Sequence, residues 1–279
     1  MSIYLKYKNQ IKKILSLVNN YIFVFIIRRF DSEVRHQLNN IKSIPIIIIN
    51  FNQLHYLKQL ISRLQNMGYY NLVIVDNNST YKPLLEYYKS IEGHVSIERL
   101  TTNHGHLSFW KEKDLIEKYT KGYYVITDAD VVPITDCPDS FLEMFIKLLD
   151  KAYDRTKVGF SLKLDDIPEY NPQNKTIKDW EAQFWKTKIH PLAYKAEIDT
   201  TFALYRPRYT YQKKNFTKAW RTDFPLQAIH GGWYINPHDL TEEQAYYQKT
   251  ANISASWLLQ KDGELKSDLH QKTYTNENE

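Results

Sequence analysis

The sequence predicts an α/β fold, with a mixed, mostly parallel sheet flanked by helices in a single domain. Three observations carry that prediction. Apolar, β-branched runs at residues 44–49 and 72–75 are separated by a segment whose apolar residues repeat at helical spacing. Each run ends in polar residues, Asn50-Phe51-Asn52 after the first and Asp76-Asn77-Asn78-Ser79-Thr80 after the second. Strand and helix patterns then keep alternating to about residue 164.

The first strand rests on Ile44, Pro45 and Ile46 to Ile49, a continuous apolar run of the kind that a strand covered on both faces requires. Leu54, Leu57, Leu60, Ile61 and Leu64 mark one face of the following helix, and Gly68 sits where a left-handed cap would end it. With the second strand at 72–75 this makes a parallel βαβ unit. A helix near 83–89, a strand near 95–100 and a helix near 110–119 follow. The strand at 123–127 delivers Asp128-Ala129-Asp130, after which Pro133 and Pro138 break the pattern. A helix over 139–152 carries Phe141, Leu142, Phe145, Leu148 and Leu149, and residues 158–164 read as another strand. Beyond Asp165 the pattern is less regular and holds Trp180, Trp185, Trp220, Trp233 and Trp257, which serve either as platforms lining a site or as core anchors. The domain is therefore expected over residues 44–260, preceded by a basic, apolar extension at 1–43 and followed by a loosely ordered tail at 261–279.

With 279 residues, 43% of them hydrophobic, the chain can bury one substantial core. The single cysteine, Cys137, excludes an internal disulfide framework and a cysteine zinc cluster, and it fits a reducing, cytoplasmic setting. A net charge of +5 without a basic block or recognition motif argues against nucleic acid as a partner. Neither a Walker A loop nor a GxGxxG string occurs among the eight glycines, so a nucleotide would be held in some other way. In the extension, the unbroken apolar run from Tyr21 to Ile27 is far shorter than the roughly 20 residues of a spanning helix, and there is no small-residue cleavage site. Lys6, Lys8, Lys12, Lys13, Arg28 and Arg29 around it would support shallow adsorption to an anionic membrane surface, a peripheral place on the inner membrane face. The alternative is a helix packed on the domain or on a partner.

Asp128 and Asp130, one residue apart after an apolar strand, can converge on one hard cation. Magnesium or manganese there would neutralise a diphosphate leaving group. In this context the stretch from Ile44 to Thr80, with its IPIIIINFNQ opening and VIVDNNST second strand, resembles the start of family-two-like glycosyltransferases of the GT-A (Rossmann-like) fold. Asp128-Ala129-Asp130 is similar to their DxD motif. The resemblance covers residues 44–133 well and the remainder by isolated motifs.

That resemblance implies a metal-dependent enzyme moving a sugar from a nucleotide-diphosphate donor, a UDP-sugar by preference, to a hydroxyl of a glycan or lipid-linked acceptor. Surface polysaccharide synthesis and inversion at the anomeric carbon are the expected setting and outcome. It places Asp76 at the nucleobase or ribose, with Asn50 and Asn52 lining the same end, Asn103 in a short Asn-x-Gly segment near the nucleotide, and Asp128 at the diphosphate. His230, beside Gly231 and Gly232, looks like the late histidine that joins Asp128 and Asp130 at the metal, with Gly231 close to the diphosphate. A structural histidine capping a turn is the alternative for His230. His104 and His106 are read as ordinary hydrogen-bonding residues. An inverting enzyme needs a carboxylate to deprotonate the acceptor, and the candidates are Asp199, Glu181 and Asp223, in that order. Asp199 precedes His230 by 31 residues, an interval similar to that in several GT-A families, although the usual Glu-Asp pair and Gln-x-x-Arg-Trp string are absent. Glu181, between Trp180 and Trp185, could instead meet acceptor hydroxyls. Asp165 and Asp166 read as a turn, and Arg206, Arg208 and Arg221 as phosphate contacts or surface residues. Two other classes compete: a non-catalytic carbohydrate-binding or scaffold protein, and a sugar-phosphate nucleotidylyltransferase. The second is disfavoured because residues 46–53 contain no glycine.

Overall fold

The computed structural model describes residues 3–252, 255, 257–260, 263–267, 273 and 274. The chain starts with a long helix, α1 (Ile3–Ile22), which runs through one π-helical segment (Phe23–Ile27) into α2 (Arg28–Phe30). Asp31 then caps α3 (Ser32–Asn39) by accepting from the Val34 backbone N–H, as an N-cap carboxylate does. Val34 is fully buried, and the Gln37 amide both accepts from the backbone N–H of Tyr123 and donates to its carbonyl. Thus α3, although it falls within the expected 1–43 extension, is built into the domain.

The alternating region follows as β1 (Ile46–Asn50), α4 (His55–Asn66), β2 (Leu72–Asp76), α5 (Lys82–Ser90), β3 (Ser96–Arg99), α6 (Ser108–Lys111), α7 (Lys113–Tyr119) and β4 (Tyr124–Asp128). The next elements are β5 (Val131–Pro133), α8 (Phe141–Lys151), β6 (Lys157–Gly159), β7 (Ser161–Leu162), α9 (Asn174–Glu181) and β8 (Lys188–His190). They are followed by β9 (Ala193–Glu197), β10 (Ala203–Tyr205), β11 (Lys218–Thr222), β12 (Gln227–His230) and α10 (Glu242–Thr250). Nine strands form one sheet in the order β3-β2-β1-β4-β10-β6-β11-β9-β8, and β5-β12-β7 form a second. Strands β3, β2, β1 and β4 are parallel, and β10 enters antiparallel between β4 and β6. This is the mixed, mostly parallel α/β architecture that the sequence predicts.

All five residues of β1 are buried because its two faces serve two cores, as the strand period of two demands. Ile46 and Ile48 join the leucines of α4 and the Phe141, Phe145 and Leu149 face of α8, while Ile47 and Ile49 face Phe109, Trp110, Tyr124 and Tyr205. Gly68 takes φ +84 directly after α4, so the cap it was expected to supply is there. Two local readings change. The helix expected over 110–119 is broken between α6 and α7 at Glu112, which is extended. The strand expected over 158–164 is shared between the two sheets. Phe160 donates its N–H to the Phe202 carbonyl, and the chain then leaves β10 to pair with β12. Gly159 permits that crossing, since a Cβ there would collide with the Phe202 carbonyl oxygen. The tail expected from residue 261 falls largely outside the described residues.

Candidate active site

Strands β1, β2 and β4 end side by side, so the polar residues after each come together at one rim, where ligands of open α/β sheets bind. Asp76 is fully buried there. It accepts from Tyr88 Oη (3.1 Å), from the Ser79 backbone N–H (3.3 Å) and from Arg99 Nε (3.2 Å), while half of the Arg99 side chain stays in solvent. Asn50 donates to the Gln53 carbonyl and to Tyr88. Asn52, at φ +52, accepts from the N–H groups of Thr80 and Tyr81 and donates to Thr250 Oγ1. Asn103 Oδ1 accepts from Asn77, from the Gly105 N–H and from Asn252. These four predicted donor residues do come together, and their polar atoms also tie the loops after β1, β2 and β3 to one another.

Helix α10 closes over that rim. Its Glu243 carboxylate accepts from the N–H groups of Leu54 and His55, capping the orphan donors at the start of α4, and Tyr246 shares a hydrogen bond with Thr80. A capping box, Thr241 with Gln244, fixes the start of α10 itself.

The second corner lies at the end of β4. Asp130 is 7% exposed and is held through its backbone and side chain alike, with its carbonyl accepting from the Gly231 N–H (2.7 Å) and Oδ2 from the Gly232 N–H (3.1 Å). His230 Nδ1 lies 3.7 Å from the same Oδ2, has no hydrogen-bond partner among the described residues although it is buried, and its ring stacks on Trp233. The pairing of β12 with β5 sets this approach, because His230 is in register with Val131. The two glycines differ in purpose. A Cβ on Gly231 would run into the Tyr56 ring, whereas one on Gly232 would press on the His230 ring at 3.0 Å and face Asp130 Oδ2 at 3.6 Å.

Asp128 stands next to Asp130, and its Oδ2 accepts from Thr200 Oγ1 (2.8 Å). Desolvation, reinforced by the charge of Asp130 and opposed by the Thr200 hydrogen bond, pushes the Asp128 carboxyl up to about 7. A cation would relieve that repulsion. Among the described residues no three histidine, cysteine, aspartate or glutamate side chains converge on one point. A divalent metal is nevertheless chemically suited to the corner, which offers a hard carboxylate oxygen beside an unpartnered imidazole nitrogen, with a glycine where a side chain would intrude.

Asp199 adjoins Thr200 and is exposed; its carboxylate accepts no hydrogen bond from the described residues, and its charge contributes to the rise at Asp128. The turn is fastened from below by Lys157, which is fully buried and donates to the Asp199 carbonyl (2.5 Å) and to Tyr205 Oη (2.8 Å). Glu181 has a different setting. It is 3% exposed and paired with Arg221 at 2.6 Å, while the Arg221 guanidinium lies 3.7 Å from the centre of the Phe184 ring and donates to the Glu197 carbonyl. Asp223 is paired with Lys188 (2.7 Å), and Asp166 with Lys163 in the turn that holds Asp165.

Arg206 donates to three carbonyls at the end of α8, and Arg208 pairs with Asp31, both at the end of the sheet remote from Asp128. His104 faces Glu112 (3.2 Å). Four residues near the site were not singled out from the sequence: Tyr56, Lys157, Thr200 and Tyr247, the last of which feels the charge of Asp130. Only Thr200 had a local clue, a hydroxyl next to a candidate acid.

The glycosyl transferase family 2 model matches residues 46–262. No curated protein matches the chain. Among solved structures it is similar to a mannosyltransferase from Pyrobaculum calidifontis in complex with GDP-Man and Mn2+, with 13% identity over 85% of this chain and 68% of that one and a TM-score of 0.43. It is also similar to residues 1–349 of TarS from S. aureus, with 12% identity over 77% and 70% and a TM-score of 0.40. The same TarS segment in complex with UDP-GlcNAc matches at 15% identity over 58% and 45%, with a TM-score of 0.37.

Proposed function

The chain belongs to glycosyl transferase family 2 and is a nucleotide-sugar glycosyltransferase; from that premise we propose a metal-dependent, inverting transfer in which Asp130 and His230 hold the ion and Asp199 is the base. The observation that carries the reading is the unpartnered Nδ1 of His230, 3.7 Å from Asp130 Oδ2 across the space that Gly232 leaves open. Bound there, magnesium or manganese would neutralise the charge that builds on the departing diphosphate. Asp128, kept in place by Thr200, is assigned to the metal-diphosphate end of the donor beside it.

The protein's own groups supply the rest. Asp199 presents a free carboxylate next to the leaving-group corner, suited to taking the proton from an acceptor hydroxyl as its oxygen bonds to the anomeric carbon. The bond from that carbon to the diphosphate oxygen breaks, and the electron pair leaves with the nucleoside diphosphate. The other two candidates, Glu181 and Asp223, are occupied by Arg221 and Lys188, which favours Asp199. The nucleotide end is assigned to the rim formed by Asn50, Asn52, Asp76 and Asn103, with Arg99 at its exposed edge. A UDP-sugar donor, a glycan or lipid-linked acceptor and a role in surface polysaccharide synthesis complete the proposal; the resemblance of residues 44–133 supports them. The test is donor turnover across a panel of nucleotide sugars with manganese present and with chelator. Metal-dependent release of a nucleoside diphosphate from one donor supports the reading, and full activity in excess chelator refutes its metal component.

A further inference from the structure

The helix formed by α1 and α2 has two faces with different partners. Ser16 donates to the Tyr153 carbonyl, Asn20 to the Asp150 carbonyl, and Phe23 and Ile27 pack on the core. These four residues recur at intervals of four, three and four, one stripe on a helix. Arg28 extends the attachment with two hydrogen bonds to Asp150 and two to Tyr123 Oη. Half a turn away, Ile11, Ile14, Val18, Ile22 and Phe25 form a second stripe at intervals of three, four, four and three, each between 47% and 61% exposed. The stripe that meets the protein thus begins with two polar residues and ends with two apolar ones, whereas the stripe that faces outward is apolar throughout, which is not the pattern of a soluble surface helix.

Charge identifies what the outward stripe meets. From Ile3 to Phe30 the sequence holds six lysines and arginines and no acidic residue. Where this helix meets α3, a cleft of about 820 Å³ is lined by Tyr21, Phe25, Arg28, Arg29, Arg35 and Leu38. The side chains of Arg29 and Arg35 make no ion pair or hydrogen bond with the other described residues, so two guanidinium groups stand among apolar and aromatic side chains. This combination suits phosphate oxygens at the edge of hydrocarbon.

We propose that the α1–α2 helix lies in the plane of a membrane surface bearing anionic phospholipid, with the apolar stripe in the acyl boundary and Arg29 and Arg35 on lipid phosphates. Residues 7–30 form a helix long enough to cross a bilayer, and an 18-residue window within it reaches a mean hydropathy of 1.3. Their attachment decides against crossing: a spanning helix would carry Asp150, Tyr153 and Arg28 into hydrocarbon or have to abandon them. The orientation follows. Tyr123 leads into β4, Tyr153 precedes β6 and Arg206 follows the antiparallel β10, so the helix packs at the amino ends of the parallel strands. Asp128 and Asp130 lie at the opposite end, a strand length of about 17 Å farther from the lipid. The site thus opens away from the surface, and an acceptor hydroxyl must reach out to it.

This proposal goes beyond the glycosyltransferase reading, and its test contains no donor, so the two fail separately. Flotation of the full chain would be compared on vesicles of phosphatidylglycerol with phosphatidylcholine and on phosphatidylcholine alone. Binding to the anionic vesicles, at least tenfold weaker in an Ile14→Glu, Val18→Glu double variant and severalfold weaker in Arg29→Ala, Arg35→Ala, is the expected result. Far-UV circular dichroism and thermal unfolding of both variants check that the domain is intact. Bound protein should be released by alkaline carbonate. Three outcomes overturn the proposal: equal binding by wild type and the Ile14/Val18 variant, resistance to carbonate extraction, or a lipid-free dimer that this variant dissociates, which would assign the stripe to a second copy of the chain.

Discussion

Lys157 Nζ donates to the carbonyl oxygen of Asp199 at 2.5 Å, joining a buried strand residue to the turn that carries the proposed base. The ammonium has no contact with solvent, and desolvation outweighs the attraction of Asp199, bringing its pKa down to about 7. Below pH 7 Lys157 is charged in both folded and unfolded chains, and the full cost of burying the charge is present. Between about 7 and 10.5 the unfolded chain holds the proton and the folded chain does not, so that cost declines and stability rises with pH. Lys157→Met removes the dependence. Its stability relative to wild type should be most favourable at pH 6 and fall by an amount on the order of a few kcal/mol by pH 10. Urea unfolding at both pH values checks this, and parallel behaviour of the two proteins would show that Lys157 is charged throughout.

Replacing Asp130 by asparagine keeps an oxygen for the Gly232 N–H and removes the charge beside His230. Manganese-dependent binding of a nucleoside diphosphate should weaken by at least about tenfold, while unfolding stability changes by less than about 1 kcal/mol. Titration calorimetry with and without manganese measures the first. Unaltered metal-dependent affinity would remove Asp130 from the ion.

Asp199→Asn and Glu181→Gln should fail in different ways. The first abolishes a proton acceptor on an exposed turn, so turnover should drop by about 10²- to 10⁴-fold with donor affinity kept. The second leaves Arg221 buried without its counter-charge, which is expected to destabilise the fold by about 3 kcal/mol. Steady-state kinetics paired with denaturant melts separate the two. If Glu181→Gln melts like wild type and loses turnover, the base assignment moves to Glu181.

The adjacent glycines offer a sharper test of geometry. Gly231→Ala drives a methyl group into the Tyr56 ring and should lower stability by about 1–3 kcal/mol. Gly232→Ala presses on His230 and Asp130 instead, so its effect should fall on metal affinity, with the melting temperature nearly unchanged. The reverse assignment of effects would mean that the space beside Gly232 is not where the ion sits.

The amino-terminal half of the domain was legible because its information is local. Five isoleucines bounded by polar residues specify a strand covered on both faces, the leucines of α4 specify the face that covers it, and Asp128 and Asp130 follow directly from the end of β4. The same locality made the rim residues Asn50, Asn52, Asp76 and Asn103 readable as neighbours, since parallel strands end at one edge. Periodicity reports whether a residue is buried, but not against what. Residues 158–164 are apolar enough for one strand, yet only the competing edges of β10 and β12 divide them between two sheets. Lys157, Thr200 and the pairing of Glu181 with Arg221 depend on contacts 42, 72 and 40 residues apart in sequence, which no local pattern encodes. The amino-terminal helix shows the same division. Its basic and apolar composition is written in the sequence, but which stripe meets protein and which is left outward was settled only when Ser16 and Asn20 found carbonyls at the end of α8, because a helix presents both faces until packing covers one.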